Sequence, residues 1–278
     1  MKSANLVQIG KIVIDEHCPE PKLTSPEQTL VRVRYAAINA DDYSAFAGYL
    51  GRVYNSQRLL HEFSGEIVAL GPQAAAQGFA VGDHVSCNIL RGCGVCPACR
   101  RGRTNLCSER SAAGGASSEY IVVNAENLVH LPDEIPLEQG ALYWLVSTCT
   151  ACVERMAIQP GSRVLVLGGG AAGLMLLQLL KKKMPSILAV SEPVAAKRAL
   201  ARSLGADLVI DPATERIEEL ILMYSDGQGF DAVIDAAGEL SAIENAVGLI
   251  DQILPLDEFQ HAMQLYGSRQ CLRILLKI

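Results

Sequence analysis

Aromatic and charged side chains are both scarce in this sequence of 278 residues. Aromatic residues make up 5% and charged residues 19%, whereas hydrophobic residues make up 50%. So much apolar material excludes a disordered chain, and aliphatic side chains must form the core. Acidic residues outnumber basic ones by 30 to 24, giving a formal net charge of −6. Because nucleic-acid binding depends on Lys and Arg meeting phosphate, we expect no nucleic-acid partner.

Long uninterrupted apolar runs are also missing. The segment Val164–Leu180 has 17 residues without a charge, but a spanning helix needs about 20. Gly168, Gly169 and Gly170 lie inside it and would weaken a helix there, so we predict no membrane segment. The first 17 residues contain no apolar core of a signal peptide. Nine cysteines, an odd number, do not form a disulfide framework, and we therefore expect a reducing, cytoplasmic compartment.

The chain changes character near residue 140. The first part contains short segments with strand-like alternation, typical of an all-β, barrel-like unit. These segments are Val31–Tyr35, Glu66–Gly71, Asp83–Cys87 and Glu119–Asn124. Apolar residues then recur at helical spacing over Leu137–Ile158. The fold class predicted is therefore α/β with an all-β part.

From residue 163 onward, buried strands alternate with helices, which predicts a parallel sheet covered by helices. The four predicted helices are Ala171–Lys183, Val194–Leu204, Glu215–Tyr224 and Leu240–Ile250. Residue 251 then leads directly into a helix, Leu256–Tyr266, and a terminal strand, Leu272–Ile278. The pattern gives four strands where a complete dinucleotide-binding sheet has six, so this unit is predicted to be shortened.

A glycine-rich turn follows the first strand of the alternating region. Gly168, Gly170 and Gly173 fit G-x-G-x-x-G between a strand and a helix, which favours binding of a dinucleotide pyrophosphate. Glu192 lies 19 residues after Gly173, where a carboxylate accepts hydrogen bonds from ribose hydroxyls and repels a 2′-phosphate. NAD is therefore the predicted cofactor. Lys197 and its neighbour Arg198 leave NADP as the alternative.

Four cysteines fall within fifteen residues, at Cys93, Cys96, Cys99 and Cys107. Four thiolates surround Zn²⁺ in a closed tetrahedron, which is typical of a structural site. The spacing does not fit the bacterial ferredoxin pattern, in which three residues precede the last cysteine. We predict one structural zinc, with four unliganded thiols as the alternative.

Together these motifs resemble the zinc-containing medium-chain alcohol and polyol dehydrogenases, near the sorbitol and threonine dehydrogenases. The segments that carry the resemblance are Leu60–Glu66, the cysteine lobe at about 91–110, Gly114–Tyr120, Ser191–Arg198 and Pro255–Ala262. The resemblance implies a GroES-like catalytic domain at 1–152, a Rossmann domain at 153–250 and a returning C-terminal segment at 251–278. It also implies a homo-oligomer, but the strand that forms the family's dimer interface is missing from the pattern, so we do not expect that dimer.

The resemblance further implies hydride transfer between an alcohol and NAD at a second, catalytic zinc. His61 and Glu62 match one pair of its ligands, and Asp42 matches an acid of the family's proton relay. Asn39 replaces a ligand cysteine, and Trp144 replaces a carboxylate. An amide is a poor zinc ligand and an indole is none, so any remaining site depends on His61 and Glu62.

Three interpretations follow from these residues. The main one is a zinc-associated, NAD-dependent alcohol or polyol dehydrogenase that acts on a small molecule. The second is an impaired or inactive relative that keeps the structural zinc and partial nucleotide binding. The third is a zinc-independent reductase.

Overall fold

The computed structural model describes residues 1–49, 58–156, 158–225, 227, 229–238, 252–255 and 274–277. These residues fall into two compact units, Met1–Trp144 and Leu145–Ile278. The predicted boundaries at 152 and 250 follow from the resemblance and stay predictions. No helix in the described ranges is both long and apolar enough to cross a membrane.

The first unit is built mainly from antiparallel strands. They are β1 (Ser3–Gln8), β2 (Lys11–Asp15), β3 (Gln28–Ala37), β4 (Glu62–Leu70), β5 (His84–Cys87), β6 (Leu90–Arg91), β7 (Ser111–Ala112), β8 (Tyr120–Asn124) and β9 (Leu128–His130). Five of them form one sheet in the order β8-β3-β4-β5-β9, while β1 pairs with β2 and β6 with β7. The four strands predicted from alternation are all confirmed.

Short helices connect these strands. They are α1 (Ala40–Ala47), α2 (Pro72–Ala76), α3 (Pro97–Arg100) and α4 (Leu137–Gly140), with 3-10 turns at Thr104–Leu106 and Ala125–Asn127. The longer α5 (Tyr143–Arg155) begins where the first unit ends. Val31, Phe63, Ile67 and Val85 are fully buried on one face of the five-stranded sheet. Phe63 and Ile67 are four residues apart on β4, and this even spacing places both on the same face of the strand.

The second unit contains the predicted alternation of strands and helices. Its elements are β10 (Arg163–Leu167), α6 (Ala171–Lys181), β11 (Ile187–Ser191), α7 (Ala195–Ser203), β12 (Leu208–Ile210), α8 (Ile217–Tyr224) and β13 (Ala232–Asp235). The four strands are parallel in the order β12-β11-β10-β13. Val164–Leu167 is buried, as a central parallel strand must be. The apolar stretch 164–180 therefore contains a strand, a turn and a helix.

The C-terminal part differs from the prediction at one point. Gln252–Pro255 forms a strand, β14, which pairs in parallel with β15 (Ile274–Lys277) as a separate two-stranded sheet. The prediction that residue 251 leads directly into a helix is wrong, because Gln-Ile-Leu-Pro is short enough to be missed by periodicity yet forms a strand through a distant partner. The helices predicted at 240–250 and 256–266 lie outside the described residues.

Candidate functional site

The four predicted zinc ligands come together in the first unit. The Sγ atoms of Cys93, Cys96, Cys99 and Cys107 all lie within 4.8 Å of one another. They are the one group of three or more potential metal ligands that the described residues contain. The predicted structural zinc therefore has a complete donor set, and four sulfurs at this spacing can close around a tetrahedral ion.

Backbone N–H groups support the sulfur atoms. The amides of Cys93, Cys96 and Cys99 each donate to the Sγ of another cysteine in the set at 3.4 Å. Cys96 caps the short helix α3, whose first residue is Pro97, and this turn aims the N–H of Cys99 back at its sulfur. Donors directed at sulfur favour the thiolate form, which is the form that binds metal.

The pKa values of Cys93 and Cys99 are shifted in opposite directions. Hydrogen bonds from the backbone N–H groups of Val95 and Cys96 lower the pKa of Cys93 to about 7. Desolvation raises the pKa of Cys99 to about 11. A divalent cation would displace the remaining protons, because zinc binds deprotonated cysteine. Metal binding at this lobe should therefore release protons near neutral pH.

A second group of predicted site residues surrounds the start of α1. Asn39 is its N-cap, and Asn39 Oδ1 accepts from the N–H groups of Asp41 at 2.9 Å and Asp42 at 3.1 Å. In return Asp42 Oδ2 accepts from the N–H of Asn39 at 3.1 Å, which completes a capping box. These contacts fix both the backbone and the side-chain amide of Asn39.

Strand register brings His61 and Glu62 to the same place. Ala37 pairs with Glu62 across β3 and β4, so Asn39 and His61 lie just past the paired ends. Asn39 Nδ2 lies 2.6 Å from His61 Nε2 and 2.9 Å from Glu62 Oε1. Glu62 is buried, so its carboxylate and the Asn39 amide that donates to it meet inside the unit.

Asp42 and Leu60 complete this group. Asp42 is buried; its Oδ1 accepts from the N–H of Leu60 at 3.0 Å and lies 3.9 Å from His61 Nδ1. Leu60 has φ of 66°, a left-handed conformation that is costly for a leucine. Its carbonyl accepts from the N–H groups of Gly115 and Ala116, and these bonds hold the strained backbone. The positive φ explains why a glycine would suit that position.

The donor set does not fit the second, catalytic zinc that the resemblance implies. His61, Glu62 and Asp42 are brought together, but the described residues include no three-donor group here. The indole of Trp144 offers no lone pair to a metal. The sequence missed the amide contacts of Asn39, although the spacing of Asn39 and Asp42 is itself a capping-box signal.

The glycine turn lies in the second unit, at the carboxyl ends of β10 and β13. Gly168 has φ of 97°, and a Cβ placed on it would come 2.8 Å from the N atom of Ala237. At Gly173 a Cβ would overlap the carbonyl oxygen of Gly168, so α6 can pack this closely only with glycine there. Around Gly170, the N-cap of α6, a Cβ would meet no atom within 4 Å. The turn thus leaves open space at a helix N-terminus, where an anion binds favourably.

Glu192 lies directly beside this turn. It is 4% exposed, and its Oε2 accepts from the N–H of Gly169 at 2.8 Å, while Oε1 accepts from Val194. The guanidinium of Arg198 donates to the carbonyls of Glu192 and Pro193 and forms an ion pair with Asp211 at 2.7 Å. Arg198 is therefore already occupied by protein acceptors.

Lys197 and two cysteines outside the zinc lobe have plainer surroundings. Lys197 is exposed on α7. Cys149 is buried in the aliphatic core of the second unit and Cys152 packs against that core, as small hydrophobic residues do.

Comparison with known proteins adds two family matches. Residues 25–133 match the alcohol dehydrogenase GroES-like domain, and residues 171–252 match the zinc-binding dehydrogenase family. L-threonine 3-dehydrogenase from Pyrococcus horikoshii is 31% identical over 245 residues, which cover 86% of this chain and 69% of the relative. Sorbitol dehydrogenase from Halalkalibacterium halodurans is 30% identical, covering 87% and 71%.

Solved structures agree in fold. A putative zinc-binding dehydrogenase from Sinorhizobium meliloti, solved with bound NADP, is 29% identical and has a TM-score of 0.78. The match covers 87% of this chain and 71% of the Sinorhizobium chain. Galactitol-1-phosphate dehydrogenase from Escherichia coli has a TM-score of 0.82 at 23% identity, covering 100% and 83%. These similarities extend over both units of the chain.

Proposed function

The chain belongs to the zinc-containing medium-chain alcohol and polyol dehydrogenase family, and we propose that it transfers hydride between a small alcohol or polyol and NAD. In this reaction the alcohol carbon gives a hydride to NAD⁺ and its hydroxyl loses a proton. The products are a carbonyl compound, NADH and H⁺. The nicotinamide supplies the hydride chemistry when bound, and the protein supplies binding and orientation.

The glycine turn is the observation that carries this proposal. Gly170 leaves the N-terminus of α6 open, and the first N–H groups of that helix point toward the space where a pyrophosphate would lie. Glu192 stands at the end of β11, beside Gly169. The combination of an open helix start after β10 with a carboxylate at the end of the neighbouring strand β11 supports the binding of a dinucleotide by this unit.

We propose NAD rather than NADP as the preferred cofactor. A 2′-phosphate would bring negative charge next to the buried carboxylate of Glu192, and Arg198 cannot offset it without leaving Asp211. NADH and NADPH are titrated separately, with their own fluorescence as the signal. NADH should bind at least tenfold more tightly than NADPH. Equal affinities would overturn this preference and would indicate that exposed Lys197 or a rearranged Arg198 binds the phosphate.

The substrate class also belongs to the proposal. The relatives named above act, by their names, on threonine and sorbitol, so the assay offers secondary alcohols of both kinds: amino alcohols and sugar alcohols. The absorbance of NADH at 340 nm should rise with members of at least one of these two classes. Activity confined to primary alkanols would contradict the proposed substrate class. No turnover with any member, in a protein that binds NADH, would remove the dehydrogenase assignment while leaving nucleotide binding in place.

His61, Glu62 and Asp42 are the proposed catalytic residues in the first unit. They are the chemically active side chains at the position that matches the family's catalytic centre. Replacing His61 by alanine should lower kcat strongly and leave the dissociation constant of NADH unchanged, because the glycine turn belongs to the other unit. An unchanged kcat would show that His61 takes no part in the reaction.

Two further parts of the proposal concern the zinc and the setting. We propose that Cys93, Cys96, Cys99 and Cys107 hold one structural zinc. A thiolate zinc site and an odd number of cysteines, nine in all, support a reducing compartment such as the cytoplasm. We also propose that the family-type homo-oligomer does not form, and light scattering after gel filtration should give the mass of one chain.

A further inference from the structure

We propose that the side-chain amide of Asn39 takes the place of the catalytic cation, so that His61 and Glu62 form a hydrogen-bonded centre that binds no metal. The inference rests on the proposed function for the role of this centre in the reaction. Its metal content, however, can be measured without turnover. The zinc of the cysteine lobe is a separate site and serves as the internal reference.

The orientation of the Asn39 amide is fixed by its neighbours. Asn39 Oδ1 faces two donors, the backbone N–H groups of Asp41 and Asp42. If the amide were turned over, its NH₂ group would face those two N–H groups, and its oxygen would face the carboxylate of Glu62. Both contacts would be repulsive, so Nδ2 must point toward His61 and Glu62.

Both hydrogens of that NH₂ group are used. One is donated to His61 Nε2, which lies 2.6 Å from Asn39 Nδ2, and the other is donated to Glu62 Oε1, which lies 2.9 Å from it. Because Nε2 accepts, the imidazole proton lies on Nδ1, on the side of Asp42. The one free lone pair of His61 and one oxygen of Glu62, which a cation would require at this place, are therefore already engaged by a neutral donor.

A third ligand is also lacking among the described residues. Asp42 lies beside His61, but its Oδ1 accepts from the N–H of Leu60 and its Oδ2 accepts from the N–H of Asn39 in the cap of α1. For a metal to enter, Asn39 would have to swing away and break four hydrogen bonds, two at Oδ1 and two at Nδ2. A catalytic zinc needs three protein ligands, and the centre offers two that are already paired.

The test is the metal content of the full-length chain and of three variants at one position. Asn39→Asp keeps an oxygen for the cap but removes the NH₂ group, so two carboxylates and His61 then face one another. Asn39→Cys supplies a thiolate and loses the cap. Asn39→Ala removes the amide without supplying a ligand and is the matched control.

Each purified protein is incubated with Zn²⁺, desalted and analysed by inductively coupled plasma mass spectrometry, with circular dichroism to check folding. We expect one zinc in the parent and in Asn39→Ala, and a rise from one toward two in Asn39→Asp or Asn39→Cys. Since Asn39→Asp keeps the cap, it answers the question even if Asn39→Cys does not fold.

Two results would overturn the proposal. The first is a parent chain with two firmly held zinc ions, one of which is lost in His61→Ala. The second is a folded Asn39→Asp and a folded Asn39→Cys that both remain at one zinc. The proposed function fails by a different measurement, the absence of NADH binding, and that result would leave the zinc counts as they are.

Discussion

The glycine turn combines two functions, close packing of α6 on β10 and close approach of a ligand. Substituting single glycines of the turn by alanine should separate them. Gly173→Ala places a Cβ on the carbonyl oxygen of Gly168, so α6 must move away from β10. Overpacking of this kind costs about 1–3 kcal/mol, which corresponds to about 4–12 °C in the unfolding midpoint for a unit of this size. We expect NADH binding to be lost together with this stability.

Gly170→Ala is the matched change three residues earlier. Its Cβ meets no protein atom within 4 Å, and the extended backbone at Gly170 accepts alanine without strain. The loss of stability should be about 0.5–1 kcal/mol, since alanine is a poorer N-cap than glycine. The new methyl group would nevertheless occupy the space open to a pyrophosphate, and the dissociation constant of NADH should rise at least tenfold.

Thermal unfolding and NADH titration of the parent and both variants complete the comparison. We expect Gly173→Ala to lower both the unfolding temperature and the affinity for NADH, and Gly170→Ala to lower mainly the affinity for NADH. If Gly170→Ala binds NADH as the parent does, the open space is not where the cofactor lies. If Gly173→Ala is as stable as the parent, the close approach of helix and strand is not required.

Three further changes test other parts of the structure. Leu60→Gly should lower the free energy of unfolding in urea by less than about 1 kcal/mol, because the substitution relieves the positive φ. An unstrained half-buried leucine would lose about 2 kcal/mol, so a loss of that size would show that Leu60 is not strained. Gly92→Ala puts a Cβ on Cys99 Sγ and should lower zinc content below one per chain, and unchanged zinc would count against the lobe geometry. Burial raises the pKa of Asp231, but hydrogen bonds and charge from Arg163 outweigh it and hold that pKa below 3.8. Asp231→Asn should therefore be less stable than the parent at pH 7, and the difference should shrink as the pH falls below 3.8 and Asp231 becomes protonated. A difference that stays constant with pH would refute the linkage.

Local sequence was enough to predict much of the fold. The strands and helices around the glycine turn follow from continuous apolar runs and from glycine spacing, both of which are visible within a short window. The cysteine lobe was equally accessible, because the ligands Cys93 to Cys107 are close in sequence and their spacing limits the geometry.

The contacts of Asn39 could not be predicted in the same way. They depend on which residue of β4 lies opposite β3, and that register is set by the whole sheet. The sequence identified Asn39 only as a lost ligand, whereas the structure shows a residue with two donors and two acceptors in use. Strand β14 was missed for a related reason, since Gln252–Pro255 has its partner about twenty residues away in the chain.

The ion pair between Arg198 and Asp211 has a consequence for engineering cofactor preference. Neutralising Glu192 alone would remove the repulsion of a 2′-phosphate but supply no positive partner, since Arg198 would stay bound to Asp211 and to two carbonyls. Release of the arginine requires a second change, at position 211. The two substitutions, at positions 192 and 211, should therefore be non-additive in their effect on NADP affinity. Neither alone should convert the cofactor preference, and the double variant should gain more affinity than the two single variants combined.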